Sequence, residues 1–119
     1  MKKVKIRCWK AVARCSDDTL VTVYFTVSDF GDAPKLFVCS NCGAIFAVDP
    51  DKESYSKRKF SDEKEKLKCP ECGDSLANVL PSPENFRCPS GEMGRYQRRD
   101  RTIPPDDEAV VVEFWDPLS

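Results

Sequence analysis

Cys39-Ser40-Asn41-Cys42-Gly43 and Cys69-Pro70-Glu71-Cys72-Gly73 repeat one pattern, CxxCG, with 26 residues between Cys42 and Cys69. Four thiols in two such pairs make the tetrahedral sulfur set that Zn²⁺ takes at about 2.3 Å per bond, and that a single iron takes in the same geometry. In each unit the turn after the first cysteine aims backbone N–H groups at its thiolate. The glycine after the second cysteine supplies the positive φ that lets the chain curl round an ion. One CxxC alone is equally a redox motif, whereas two, each closed by glycine and joined through a strand-loop-strand, point to a metal. Cys39, Cys42, Cys69 and Cys72 are the expected ligands of one ion, with zinc expected and iron as the alternative.

These residues resemble the zinc-ribbon and rubredoxin-like proteins over about residues 37–79. Cys42-Gly43-Ala44-Ile45-Phe46-Ala47-Val48 is similar to the stretch after the first knuckle of bacterial zinc ribbons, where an aromatic three after the glycine begins the returning strand. The resemblance implies a small antiparallel sheet pinned by one ion on the same four cysteines. It implies no activity, since such ribbons serve transcription factors, ribosomal proteins, enzymes and adaptors alike. Rubredoxins also share the CPxCG unit and Asp49-Pro50. Where they carry an aromatic-rich core between the knuckles, this chain has Lys57-Arg58-Lys59 and Asp62-Glu63-Lys64-Glu65-Lys66. Little apolar cover is therefore expected around the ion, which favours zinc over iron.

Outward from the knuckles, Lys35-Leu36-Phe37-Val38 reads as a strand running into Cys39. Val4, Ile6 and Cys8 alternate with Lys3, Lys5 and Arg7 in a pattern continuing loosely to Arg14, and Val21, Val23, Phe25 and Val27 alternate with Leu20, Thr22, Tyr24 and Thr26. With the turn residues Ser16-Asp17-Asp18 between them, these two stretches form a hairpin. Residues 28–34 are a connector. Asp51 to Lys68 holds 12 charged residues in 18, and Tyr55, Phe60 and Leu67 are too few for a buried face, so it reads as a solvated excursion with at most a helical turn. Leu76 to Leu80 is a short strand that Pro81-Ser82-Pro83 ends, and Gly91 to Pro105 is irregular. Ala109 to Trp115 is the most β-prone stretch of the C-terminal half. The expected class is β-rich, all-β or small α+β, with one domain over residues 1–119. In it a zinc-ribbon element, 37–80, is inserted in or appended to an antiparallel sheet formed by 3–38 and 109–115.

A length of 119 residues suits one domain. No apolar run approaches the ~20 residues of a membrane span, and no apolar stretch follows the basic start as in a secretory signal. The expected setting is cytoplasmic, without a membrane partner. Lys+Arg 19 against Asp+Glu 20 gives a net charge of −1, and the pI is near 5.5, without the basic excess of a dedicated nucleic-acid domain. The absence of histidine excludes Ser-His-Asp and Cys-His relays and His-containing zinc sites. No phosphate-cradling loop or carboxylate cluster is present, and a fully Cys-ligated zinc has no open position for water, so the chain reads as a non-enzyme.

Three cysteines lie outside the knuckles. Cys8 and Cys15 read as packed core thiols, and Cys88-Pro89-Ser90-Gly91 as a knuckle without its second cysteine. In a cytoplasmic chain, metal or redox thiols are expected over a disulfide framework. Arg95, Tyr96, Arg98, Arg99 and Arg101 admit two readings. They form a phosphate-contacting patch with a stacking aromatic, reinforced by Lys57-Arg58-Lys59, or a solvated loop paired with the tail, whose residues 102–119 hold five acids and no base. The charge balance favours the second. In the tail, core packing of Val111, Phe114 or Trp115 is favoured over a partner-binding edge strand. The function expected is binding of a protein partner, as an adaptor, inhibitor or immunity-type factor. A nucleic-acid-binding zinc ribbon and a rubredoxin-like electron carrier are the alternatives.

Overall fold

The computed structural model describes residues 1–27, 33–49, 60–100 and 102–119. Within these, β1 (Lys2–Arg14), β2 (Leu20–Phe25), β3 (Lys35–Cys39), β4 (Ile45–Val48), β5 (Val79–Ser82) and β8 (Val110–Asp116) form one six-stranded sheet, in the order β2-β1-β8-β4-β3-β5. β6 (Asn85–Arg87) and β7 (Met93–Arg95) pair as a separate hairpin. Every pairing is antiparallel except β4 with β8, where Phe46 meets Trp115. The chain is β-rich, as its alternating sequence leads one to expect.

β1 is long because it serves two cores. In its first half Val4, Ile6 and Cys8 turn inward, onto Leu36, Ala47, Phe114 and Tyr24. From Trp9 onward the opposite face is covered instead, with Ala11, Ala13 and Cys15 packed among Val23, Phe86, Cys88 and Tyr96. The period-2 alternation never breaks, and only the side that meets protein changes. Lys3, Lys5 and Arg7 are therefore exposed in one half, and Lys10, Val12 and Arg14 in the other. A third cluster, Phe46, Val48, Phe60, Leu76 and Val79, surrounds the knuckle cysteines, with Phe37, Leu67, Trp115 and Leu118 packed against it.

Several local expectations change. Pro81 does not end β5 but pairs within it, opposite Phe37, because an edge strand leaves one side of its backbone without a ladder partner. Residues 85–87 and 93–95, the latter within a stretch read as irregular, form β6 and β7. β8 lies between β1, with which it pairs from Val110 to Asp116, and β4, which it meets at Trp115. Its Phe114 is buried and its Trp115 half-buried, whereas Val111 points outward at 66% exposure. Phe60, within the supposed solvated excursion, starts a helical turn (Phe60–Glu63) and is buried 5.2 Å from the Phe37 ring. Phe60 and Leu67 together dock the described part of this charged segment. Lys57-Arg58-Lys59, Tyr55, Arg101 and most of the 28–34 connector lie outside the described residues.

Candidate metal centre

The first knuckle is the tip of the β3–β4 hairpin, and the second is a smaller hairpin closed by a bridge between Lys68 and Ser75. The two tips have the same backbone. Cys39 N–H donates to the Ala44 carbonyl and Gly43 N–H to the Cys39 carbonyl; Cys69 N–H donates to the Asp74 carbonyl and Gly73 N–H to the Cys69 carbonyl. Gly43 and Gly73 take φ of +84° and +78°, the left-handed region that a Cβ disfavours. Backbone N–H groups reach the sulfurs as well, from Ala44 to Cys42, from Glu71 and Cys72 to Cys69, and from Asp74 to Cys72.

All four sulfurs lie within 4.8 Å of one another, with Cys39–Cys72 at 3.8 Å and Cys42–Cys69 at 3.6 Å. A tetrahedron with bonds of about 2.3 Å has edges of about 3.8 Å, so the cluster has the size of a four-sulfur metal site. Cys39 and Cys69 are buried, and Cys72 is exposed. Burial pushes the Cys42 and Cys69 thiols up, while the Asn41 side chain and the Asp74 N–H bring Cys72 down to about 7. The expected apolar poverty is not found, and with it goes the ground it gave for zinc over iron. Phe37, Phe46, Phe60 and Leu76 cover the site, contributed by strands and by the helical turn rather than by the charged segment as a whole. Trp115 closes one side, its Nε1 donating to Glu71 Oε2 at 2.9 Å, so the end of β8 holds the second knuckle in place.

No protein family, curated protein or solved structure matches this chain. The four cysteines alone therefore carry the likeness to zinc ribbons.

Two cysteines outside this set are also joined. Cys15 and Cys88 form a disulfide across 73 positions of sequence, which replaces the packed thiol expected at Cys15. Both sit in tips shaped like short knuckles. Cys15 N–H donates to the Thr19 carbonyl and Asp18 N–H to the Cys15 carbonyl; Cys88 N–H donates to the Glu92 carbonyl and Gly91 N–H to the Cys88 carbonyl. Asp18 and Gly91 hold the positive φ. The sequence signal was a cysteine opening a tight turn in both places, C-S-D-D and C-P-S-G. Cys8 alone is the packed free thiol expected, and burial raises it to about 11.

The arginine segment is divided. Arg95 and Arg99 are exposed. Tyr96 packs half-buried against the disulfide cluster, and Arg98 stacks 4.4 Å over Phe25 while donating to the Thr102 carbonyl. The expected pairing with the tail is not formed among the described residues, where Asp106 pairs with Arg7 of β1 instead. Register explains this: β8 runs beside β1, so the residues just before β8 arrive at the basic face of β1.

Proposed function

We propose that this chain is a binding protein whose fold is pinned by one structural zinc ion on Cys39, Cys42, Cys69 and Cys72, and that it acts on a protein partner without catalysing a reaction. The closed sulfur tetrahedron carries this reading. All four positions around the ion belong to cysteine, each knuckle sends N–H groups to its thiolates, and nothing in that arrangement leaves a coordination site for water or substrate. Among the described residues, the strands at the ends of the sheet are β2 and β5. Pro81 blunts β5, whereas β2 is uninterrupted and carries exposed Leu20, opposite Arg14 and diagonal to exposed Val12 of β1, which suits addition of a partner strand. The cytoplasm stays part of this reading, because reduced thiolates there remain available to zinc; the Cys15–Cys88 disulfide is then exposed to reduction in the same compartment.

Elemental analysis of the purified protein tests the metal. A colourless protein with one zinc per chain supports the reading, and a red, iron-containing one replaces it with electron transfer. Nucleic-acid binding keeps one supporting observation, the exposed Arg95 and Arg99 without ion pairs to the tail among the described residues. Salt-sensitive binding to generic DNA or RNA, lost on replacing both with Ala, would establish that alternative.

A further inference from the structure

One side chain links the disulfide to the metal centre. Arg87, the last residue of β6, immediately precedes Cys88. Its Nη1 donates to the Ser40 carbonyl in the first knuckle at 2.7 Å. Its stem lies over Gly43, where an added Cβ would come within 3.2 Å of Cδ. Arg87 thus rests on the glycine that turns the first knuckle and holds the carbonyl next to Cys39. Its position depends in turn on the β6–β7 hairpin, whose strands have three residues each, too few to persist alone in water. The hairpin is held against β1 and β2 by Phe86, by Glu92 accepting from the N–H and hydroxyl of Ser16, and by the covalent Cys15–Cys88 bond.

We propose that the Cys15–Cys88 disulfide is a redox-responsive clamp on the metal centre: reduction loosens the β6–β7 hairpin, withdraws Arg87 from the first knuckle and weakens metal binding. The inference rests on the metal reading above. The chemistry is thiol–disulfide exchange with a monothiol of the glutathione class. Two monothiols give up two electrons and two protons and join as one disulfide, while the Cys15–Cys88 bond breaks into two thiols. The ion's own ligands need not be oxidised for the centre to respond. Because linkage is reciprocal, the bound ion must protect the disulfide from reduction by the same factor by which the disulfide tightens the ion.

The test titrates Zn²⁺ against a chromophoric chelator in the unmodified oxidised chain, in the Cys15→Ala/Cys88→Ala variant, in Arg87→Met, and in the triple variant. Loss of the disulfide is expected to weaken zinc binding at least about fivefold, the lower end of ordinary coupling between sites. Arg87→Met, with its disulfide intact, is expected to show a similar loss, and the triple variant no more than either. The unmodified chain is also equilibrated in glutathione buffers with and without Zn²⁺, with the 15–88 linkage read by peptide mass. The zinc-loaded chain is expected to keep the bond in more reducing buffer by the same factor. Equal zinc affinity in all four proteins, independent multiplying losses, or identical redox midpoints overturn the clamp and leave the zinc site standing. Failure of the unmodified chain to bind zinc overturns both.

Discussion

Gly94 lies opposite Phe86 in the β6–β7 pair, and a Cβ built there would fall 2.4 Å from the ring's Cζ and under 3 Å from two more ring atoms. Phe86 is buried in the cluster around the disulfide, so the ring or the backbone must shift to admit a methyl. Gly94→Ala is therefore expected to cost about 1–3 kcal/mol by overpacking, read as a lower denaturation midpoint. The cysteines separate by role at the same scale. Cys39→Ser or Cys69→Ser removes a ligand whose binding is coupled to folding, and the melting temperature is expected to fall by about 10–20 °C with loss of stoichiometric zinc. Cys8→Ser instead puts a hydroxyl into an apolar site that has no exposure. It is expected to lose about 1–3 kcal/mol of stability with one zinc still bound.

At the scale of elements, the knuckles couple metal binding to pH. Burial raises the Cys42 and Cys69 thiols, so in the metal-free chain both are protonated near neutrality and must lose those protons to an incoming ion. Zinc affinity is expected to rise with pH, by about tenfold per unit for each proton displaced. Cys72, brought down to about 7 by Asn41 and the Asp74 N–H, stops contributing a proton above that value. Calorimetry in buffers of different ionisation enthalpy reads the protons released, and a pH-independent affinity would contradict the assignment. The hairpin tips also respond to acid. Ser16 holds the Glu92 carboxyl below its usual range, so that bond contributes above about pH 4.5 and is lost as pH falls through the lower folded value.

Across the whole molecule, two cross-links hold the sheet at separate places. The four-cysteine cluster, where the proposed ion would sit, joins β3, β4 and the second knuckle, and the disulfide ties the β1–β2 tip to β6–β7. The disulfide spans 73 positions, for which the loop-closure entropy removed from the unfolded chain is worth about 4.4 kcal/mol. Reduction is expected to lower unfolding free energy by that amount. Chelation is expected to act elsewhere, exposing amides of residues 35–48 and 68–82 to hydrogen exchange while the β1–β2 hairpin stays protected. Uniform loss of protection over the whole sheet would show that the two regions unfold as one.

The grouping of Cys39, Cys42, Cys69 and Cys72, the glycines that turn each knuckle and the β-rich class follow from the sequence alone. Each rests on local chemistry: the reach of a CxxC turn, the freedom of a residue without Cβ, and alternation that pleats a strand. What only tertiary structure decides are the relations between distant segments. Alternation in β1 marks two faces but does not say that burial passes from one to the other at Trp9. The β-prone stretch 109–115 reads as a strand packed on the sheet, but its place between β1 and β4, with a parallel pairing to β4, is not written in it. Phe60 looks solvated until Phe37 meets it, and Cys15 looks like a packed thiol until folding brings Cys88 beside it. A partner far along the chain leaves no periodic trace in the sequence, because the energy of the contact depends on geometry that only the assembled sheet supplies.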